Sequence, residues 1–154
     1  MNDFSDLLRP EAVYKDVAVA HKKALFAQLA TAAEGLGIDG RLTAELLAAR
    51  EKIGSTGFGG GVAIPHARLP DLPAVTGVFM RLAQPIEFDA VDDLPVDLVF
   101  MLLSPVDAGA DHLKALARVS RRLRDRTFLT NLRGAGSPDA LYALFTADAA
   151  RDAA

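Results

Sequence analysis

A glycine-rich, hydroxyl-bearing turn in residues 54–61 leads into a short apolar strand and then to one histidine, His66, which directly follows Pro65. Glycine tolerates positive φ and lets other groups approach the backbone closely, so consecutive N–H groups can converge on an anion. Pro65 should end the strand and leave His66 on a loop. Because a neutral imidazole can attack phosphorus, this arrangement predicts phosphoryl transfer on His66.

Neighbouring residues are candidates for binding the transferred group. A phosphoryl group in transfer carries negative charge on its three equatorial oxygens, so catalysis depends mainly on N–H groups, hydroxyls and guanidinium groups placed around it. The predicted phosphate-binding residues are Ser55, Thr56, Gly57 and Arg68. Arg50 joins them if the fold brings the two ends of the glycine turn together. The alternative interpretation is an ordinary loop histidine beside a structural turn.

Other catalytic motifs do not fit this sequence. A P-loop needs Lys and Ser or Thr after its last glycine, but Gly61 is followed by Val62 and Ala63. A dinucleotide fingerprint that begins at Gly57 would need Gly or Ala at position 62. The histidines lack the spacing of metal ligands, and no serine lies in Gly-x-Ser-x-Gly. We therefore expect no bound ATP or NAD, no metal and no cofactor.

Two further histidines have open interpretations. His112 falls in the first turn of a predicted helix, where unpaired N–H groups disfavour imidazolium and attract anions. It either holds a second side of the phosphoryl group or is a surface residue without a role. His21 begins another helix beside two lysines and is interpreted as a surface residue.

Composition limits the class of protein. The chain has 154 residues, 51% of them hydrophobic and 24% charged, which is the make-up of one ordinary globular domain. It has no cysteine, its net charge is −3, and no run approaches the roughly 18 apolar residues of a membrane span. The N-terminus has no secretory leader pattern. We expect a soluble cytoplasmic protein without membrane insertion.

One basic helix face suggests nucleic-acid binding. It consists of Lys114, Arg118, Arg121 and Arg122. No aromatic residues interleave these side chains, and the chain as a whole is acidic. We therefore interpret this face as solvated and expect no nucleic-acid partner.

Helices and strands alternate along the chain. Period-2 and apolar runs predict strands over Val13–Val17, Val62–Ile64, Val75–Leu82 and Val96–Leu103, the last buried on both faces at the centre of a sheet. Helical spacing predicts helices over residues 18–36, about 40–52 and about 111–126, and a closing helix capped by Ser137 with Pro138 at its first position. The predicted fold is a single α/β domain, a mixed β-sheet flanked by α-helices, with a loose tail over residues 148–154.

The same spacing predicts the buried face of each helix. These faces are Leu25, Leu29, Ala32, Ala33 and Leu36 in the first helix; Leu42, Leu46, Leu47 and Ile53 in the second; Leu113, Leu116, Ala117, Ser120 and Leu123 in the third; and Leu141, Leu144 and Phe145 in the last.

Four segments in order carry a family resemblance. They are Arg50-Glu-Lys-Ile-Gly-Ser-Thr-Gly-Phe-Gly, Val62-Ala-Ile-Pro-His66, Pro95-Val-Asp-Leu-Val-Phe and Ala108-Gly-Ala-Asp-His112-Leu-Lys-Ala-Leu. With them the chain resembles the fructose/mannitol-type EIIA domains of the bacterial phosphoenolpyruvate-dependent phosphotransferase system, and most of all their nitrogen-regulatory branch. The resemblance implies an EIIA type-2 domain over residues 1–147.

The resemblance also implies roles for the site residues. His66 would accept a phosphoryl group from an HPr-like carrier (NPr) through its Nε2 atom, and His112 and Arg50 would border that site. The sequence departs from the family pattern at Ala67, where glycine is usual, and at Phe58, where a smaller aliphatic residue is common. Ala67 would restrict the φ of the loop and alter the approach of the donor.

Two functional branches follow from the resemblance. In the regulatory branch, the phosphorylation state controls binding to target proteins. In the transport branch, the domain passes the group to an EIIB domain of a fructose/mannitol-type permease and works as an enzyme in a relay. We favour regulation because the chain carries no EIIB, HPr or membrane segment. A non-phosphorylated scaffold is disfavoured because every chemical part is present.

Overall fold

A mixed β-sheet and the helices that flank it make up the computed structural model, which describes residues 4–147. The strands are β1 (Leu8–Val17), β2 (Gly57–Gly59), β3 (Val62–Ala63), β4 (His66–Leu69), β5 (Thr76–Ile86) and β6 (Val96–Pro105). The helices are α1 (Lys22–Gly35), α2 (Gly40–Ile53), α3 (Ala110–Arg122), α4 (Arg126–Gly134) and α5 (Pro138–Thr146). The α/β prediction is confirmed, whereas the tail predicted over 148–154 lies outside the described residues.

Strand β6 is the centre of the sheet. It pairs antiparallel with β5 and parallel with both β3 and β4, and β1 and β2 lie farther out in the order β1-β5-β6-β3-β2. All its side chains from Leu98 to Leu103 are fully buried. The prediction of a central strand over 96–103, buried on both faces, is confirmed, since a strand with neighbours on both edges and helices on both sides has no face in water.

Polar side chains cap the first and the last helix, although α1 begins at Lys22 and not at residue 18 as predicted. His21, interpreted above as a surface residue, is exposed and has a structural role, because its Nδ1 accepts a hydrogen bond from Ala24 N at 3.1 Å and so caps α1. Ser137 caps α5 in the same way through Ala140 N, with Pro138 at the first helical position.

The helix predicted over 111–126 is wrong at its C-terminal end. Helix α3 stops at Arg122, and Asp125 then accepts a hydrogen bond from Phe128 N at 3.2 Å and begins the separate helix α4. The sequence analysis left α4 unassigned. An aspartate three residues before an apolar pair is a helix-start signal, and here it ends one helix and begins the next.

Three residues predicted to be buried are exposed, namely Ile53, Leu113 and Ala117. The exposed fraction is 83% for Ile53, at the end of α2, and 63% for Leu113 in α3. Helix α3 instead buries His112, Ala115 and Val119, a face rotated by about one residue from the predicted one. The predicted face did not include His112, which is buried in the structure and lies 2.7 Å from the hydroxyl of Ser104 through its Nδ1.

A cluster of phenylalanines forms the core on one side of the sheet. Phe79, Phe100 and Phe145 meet with ring centroids 4.8–6.5 Å apart, and Phe128 and Phe4 pack against Phe145. The backbone N–H of Phe4 also donates to the carbonyl of Phe145 at 3.1 Å. The two ends of the described chain are thus held side by side.

Replacing Gly77 by Ala is expected to destabilise the protein by about 1–3 kcal/mol, because the sheet leaves no room for a methyl group there. A Cβ at Gly77 would lie 2.6 Å from Phe100 Cε1, in a ring that is itself packed in the core. Urea unfolding measures the effect. Gly134→Ala is the matched control, because a Cβ at this helical position meets nothing within 4 Å and should leave stability equal or slightly higher. Equal stability of the two variants would contradict the prediction.

Candidate active site

His66 is the first residue of β4, and the prediction of a loop position is wrong. Strand β3 ends at Ala63, two residues before Pro65, and the carbonyl of Pro65 accepts a hydrogen bond from Leu102 N at 2.9 Å. The chain therefore stays on the edge of β6, and His66 pairs in parallel register with Leu102. A proline removes only its own N–H, so strand pairing resumes at the next residue. The histidine is consequently held by the sheet.

Two hydrogen bonds fix the protonation of the His66 ring. Its Nδ1 lies 2.8 Å from the carbonyl oxygen of Ile64, which can only accept, so Nδ1 carries the hydrogen. Nε2 then has the lone pair, and the Nε–H of Arg50 donates toward it at 3.3 Å. The ring therefore presents its nucleophilic nitrogen to a guanidinium group that can bind a developing negative charge.

Arg50 reaches this position from the last turn of α2. Its Nη1 donates to the carbonyl of Gly54 at 2.8 Å, at the end of the helix, while Nε faces His66. The condition set by the sequence, that the two ends of the glycine turn come together, is met.

Glu51, the next residue, is a site component that the sequence analysis missed. Its side chain, 8% exposed, accepts hydrogen bonds from the backbone N–H of Thr56 at 3.0 Å, the Thr56 hydroxyl at 2.6 Å and Lys22 Nζ at 3.0 Å. These contacts tie the end of α2 to the start of the glycine segment. The only sequence signal is its place beside Arg50.

His112 lies close to His66. It sits in the first turn of α3, is only 6% exposed, and its ring centroid is 5.7 Å from that of His66. Its Nδ1 is 2.7 Å from the hydroxyl of Ser104, a fully buried residue of β6 that the sequence analysis did not single out. The alternative of a surface histidine is thus wrong. Arg68, on β4, is exposed, and its positive charge acts on His112.

Both histidines are less basic than usual. Burial lowers the pKa of His66 most strongly. The hydrogen bond to the Ile64 carbonyl opposes this effect, the charge of Arg50 lowers the pKa further, and Glu51 raises it least. Burial likewise lowers the pKa of His112, with the charges of Arg68 and His66 acting in the same direction. Both rings are therefore neutral at pH 7.

We expect the NMR titrations of the two rings to have midpoints below about 6.5, the value of an unperturbed histidine. Because the folded state binds fewer protons than the unfolded chain below that pH, both rings lower stability as the pH falls through it. Ring-proton shifts followed from pH 8 to pH 4 measure this, with a denatured sample as the reference. A midpoint for His66 above the denatured value would contradict it.

The glycine segment forms a hairpin whose polar groups have partners within the protein. Strands β2 and β3 pair antiparallel through a turn at Gly59–Gly61, and the N–H of Gly60 donates to Asp92 at 3.0 Å. Ser55 donates to the carbonyl of Phe88 and accepts from Gly57 N. Within residues 4–147, neither Ser55 nor Thr56 hydrogen bonds to His66. The structure thus gathers Arg50, His66, His112 and Arg68, and gives the hydroxyls other partners.

The two residues that depart from the family pattern, Ala67 and Phe58, fit their surroundings in the structure. Ala67 lies in β4, paired with Leu103, and its φ is not positive, so its methyl group strains nothing. Phe58 lies half-buried beneath the guanidinium of Arg124, 5.3 Å from the ring centroid. The expected restriction of the loop at Ala67 is therefore wrong, because the residue is in a strand.

Two arginines of the basic face of α3 contact other side chains of the protein. Arg118 makes a two-pronged ion pair with Asp6, at 2.8 and 3.0 Å, and lies over the ring of Phe4. Arg122 lies over Phe128, 4.0 Å from the ring centroid.

In the described part of the chain, residues 4–147, we find no cluster of three or more histidines and carboxylates with the geometry of a metal site. Nor does this part contain a helix of sufficient length and apolarity to span a bilayer.

Comparison with known proteins gives one consistent result. Residues 6–148 match the family described as "Phosphoenolpyruvate-dependent sugar phosphotransferase system, EIIA 2". A "Nitrogen regulatory protein" of Bradyrhizobium diazoefficiens is 48% identical over 141 residues, which cover 91% of this chain and 92% of that protein.

Two solved structures share the fold. The nitrogen regulatory protein IIA-Ntr of Neisseria meningitidis superposes with a TM-score of 0.86 at 34% identity, over 92% of this chain and 97% of that one. The mannitol IIA of Escherichia coli superposes with a TM-score of 0.75 at 18% identity, over 89% of this chain and 97% of that one.

Proposed function

Because the chain belongs to the EIIA 2 family of the phosphoenolpyruvate-dependent sugar phosphotransferase system, we propose that it carries a phosphoryl group on His66 as phosphohistidine. The observation that supports this most directly is the hydrogen bonding of the ring. Nδ1–H is held by Ile64, and Nε2 keeps its lone pair beside Arg50. A neutral, oriented imidazole next to a guanidinium is the acceptor that phosphoryl transfer needs.

The donor in this proposal is a phosphohistidine on an HPr-like carrier (NPr). The N–P bond of the donor breaks, and its electron pair returns to the donor ring. The lone pair of His66 Nε2 forms the new N–P bond, and Nδ1 keeps its hydrogen, shared with the Ile64 carbonyl. The positive charge thus passes from the donor ring to the acceptor ring, and no proton leaves the site.

Two side chains bind the phosphoryl oxygens in this mechanism. Arg50 turns its guanidinium from Nε2 to the incoming oxygens, and His112, 5.7 Å away between ring centroids, lies on another side of the group. Arg68 adds positive charge at the rim. Interactions of this kind lower the barrier because they strengthen as negative charge develops. Ser55, Thr56 and Gly57, also predicted to bind phosphate, contribute by shaping the end of the glycine segment.

We infer a regulatory role for this carrier. Its relatives at 37–48% identity include several nitrogen regulatory proteins. Phosphorylation adds about −1.5 to −2 charges at a half-exposed ring, which changes the local field over about one Debye length. Target proteins that contact this face would bind one state better than the other. The protein would act in the cytoplasm, where the donor carrier is.

The alternative function is sugar transport, in which His66 passes the group to an EIIB domain of a fructose/mannitol-type permease. The chemistry at His66 is the same in both branches, and only the next acceptor differs. An enzyme role as a phosphotransferase component belongs to the transport branch. The similarity to the mannitol IIA of E. coli supports the fold alone, whereas relatives of higher identity favour regulation.

The test is the intact mass of the wild-type protein after incubation with phosphoenolpyruvate, its phosphotransferase and an HPr-like carrier. We expect one acid-labile phosphoryl group, lost again when unphosphorylated carrier is added in excess. No incorporation with a carrier that phosphorylates a known EIIA protein would overturn the proposal. Labelled protein is then mixed with an EIIB domain, and rapid loss of label to EIIB would favour transport over regulation.

A further inference from the structure

Ser104 is a buried hydroxyl with one partner. It lies in β6, is fully buried, and its Oγ is 2.7 Å from Nδ1 of His112. Within residues 4–147 this is the hydroxyl's single hydrogen bond. In the parallel register of β4 and β6, Ser104 pairs with Arg68 and Leu102 pairs with His66. Paired residues share a face of the sheet, so Ser104, Arg68 and His66 lie on the face that α3 covers with His112.

The hydrogen bond between Ser104 and His112 can form with either residue as the donor. Either His112 carries its hydrogen on Nδ1 and donates to the hydroxyl, or the hydroxyl donates and Nδ1 accepts. In the first case the hydroxyl hydrogen of Ser104 has no acceptor in a fully buried place, which costs about 1–3 kcal/mol. In the second case the hydroxyl hydrogen has an acceptor, and only lone pairs of the Ser104 oxygen lack a partner. This case is favoured, because proteins leave buried acceptors unsatisfied more often than buried donors.

We propose that Ser104 is a positioning residue: its hydroxyl donates to Nδ1 of His112 and so holds that ring in the tautomer with its hydrogen on Nε2, opposite to the tautomer of His66. His66 has its hydrogen on Nδ1, held by the Ile64 carbonyl, and its lone pair on Nε2. One ring thus offers a lone pair to phosphorus, and its neighbour offers an N–H to a phosphoryl oxygen. This division of roles rests on the proposed phosphorylation of His66.

The surroundings keep His112 neutral, so that its tautomer matters. It lies in the first turn of α3, where the helix dipole disfavours a charged ring, and burial together with Arg68 and His66 lowers its pKa. A neutral ring has a single N–H. If that hydrogen were on Nδ1, the free nitrogen of His112 would turn a lone pair to the negatively charged phosphoryl oxygens and repel them.

The first measurement needs no phosphoryl group. Long-range ¹H–¹⁵N correlation spectra of the wild-type protein at pH 8 distinguish the protonated and unprotonated nitrogen of each ring. We expect His66 with hydrogen on Nδ1 and His112 with hydrogen on Nε2. A spectrum with the hydrogen of His112 on Nδ1 would overturn the proposal, whatever the protein's activity.

The second measurement uses variants at the same position. Ser104→Ala should mix the two tautomers of His112 and slow phosphorylation of His66 about tenfold, the lower end of the effect seen when a group that orients a functional histidine is removed. Ser104→Thr keeps the hydroxyl and should restore both the spectrum and the rate. The matched control is Thr43→Val, which removes another fully buried hydroxyl, in α2, and should change neither.

The two readouts separate this proposal from the proposed function. If the wild-type protein accepts no phosphoryl group but shows opposite tautomers, phosphorylation fails and the role of Ser104 in fixing the ring stands. If phosphorylation proceeds and Ser104→Ala keeps both the pure His112 tautomer and the full rate, Ser104 does not position the ring and the proposal is wrong.

Discussion

The variant His66→Ala is expected to take up no phosphoryl group while it keeps the fold and stability of the wild type. Nε2 of His66 lies beside Arg50 and carries a lone pair, whereas the methyl group of Ala offers no acceptor. The ring is partly exposed at the start of β4, so its loss leaves no large cavity in the core. Intact mass after incubation with the carrier system measures incorporation, and the circular dichroism spectrum checks the fold.

His21→Asn is the matched control for this experiment. It removes another histidine, but asparagine can still accept the hydrogen bond from Ala24 that begins α1. This variant should be labelled like the wild type. Full-rate labelling of His66→Ala, with His21→Asn also labelled, would place the phosphoryl group on a different residue and remove His66 from its role.

Arg50→Ala is expected to slow phosphorylation about 10²–10³-fold, the cost of removing one preorganised donor to a developing negative charge. The melting temperature should fall as well, because Nη1 of Arg50 holds the carbonyl of Gly54 at the end of α2. Stopped-flow or quenched-flow transfer from the phosphorylated carrier gives the rate, and calorimetry gives the melting temperature.

Two further variants separate these effects of Arg50. Arg50→Lys keeps a charge but cannot span Gly54 and His66 with two N–H groups, so it should recover only part of the rate. Lys52→Ala removes an exposed cation from the same turn and should match the wild type in both measurements. Wild-type kinetics in Arg50→Ala would remove Arg50 from the site and leave it only a structural role.

Much of the fold follows from local sequence patterns. The central strand contains a run of apolar residues from Leu98 to Leu103, and such a run has few alternatives to burial on both faces. The caps at Ser137 and Pro138 act within one turn of the chain, so their effect can be read from neighbours in the sequence. His66 stands out because glycines, an apolar strand and a proline precede it directly.

The roles of Ser104 and Glu51 could not be predicted, because their contacts form only when separate elements pack together. In the sequence nothing distinguishes Ser104 from other residues of a buried strand. Its role depends on His112, which α3 places beside its hydroxyl. Leu113, the next residue in α3, is exposed although it is apolar. The role of Glu51 depends on its contacts with Thr56, which follows α2, and with Lys22, at the start of α1. Contacts between elements decide such pairs, and sequence spacing alone does not encode them.

The hydrogen bond between Phe4 and Phe145 has a consequence for how this domain combines with others. The two ends of the described chain, residues 4–147, therefore lie side by side on the same aromatic cluster. A domain built in this way can be spliced into a loop of a host protein, or its ends can be joined and new ends opened elsewhere, without pulling the sheet apart. The proposed phosphoryl site, beside β6 and the start of α3, would keep its geometry.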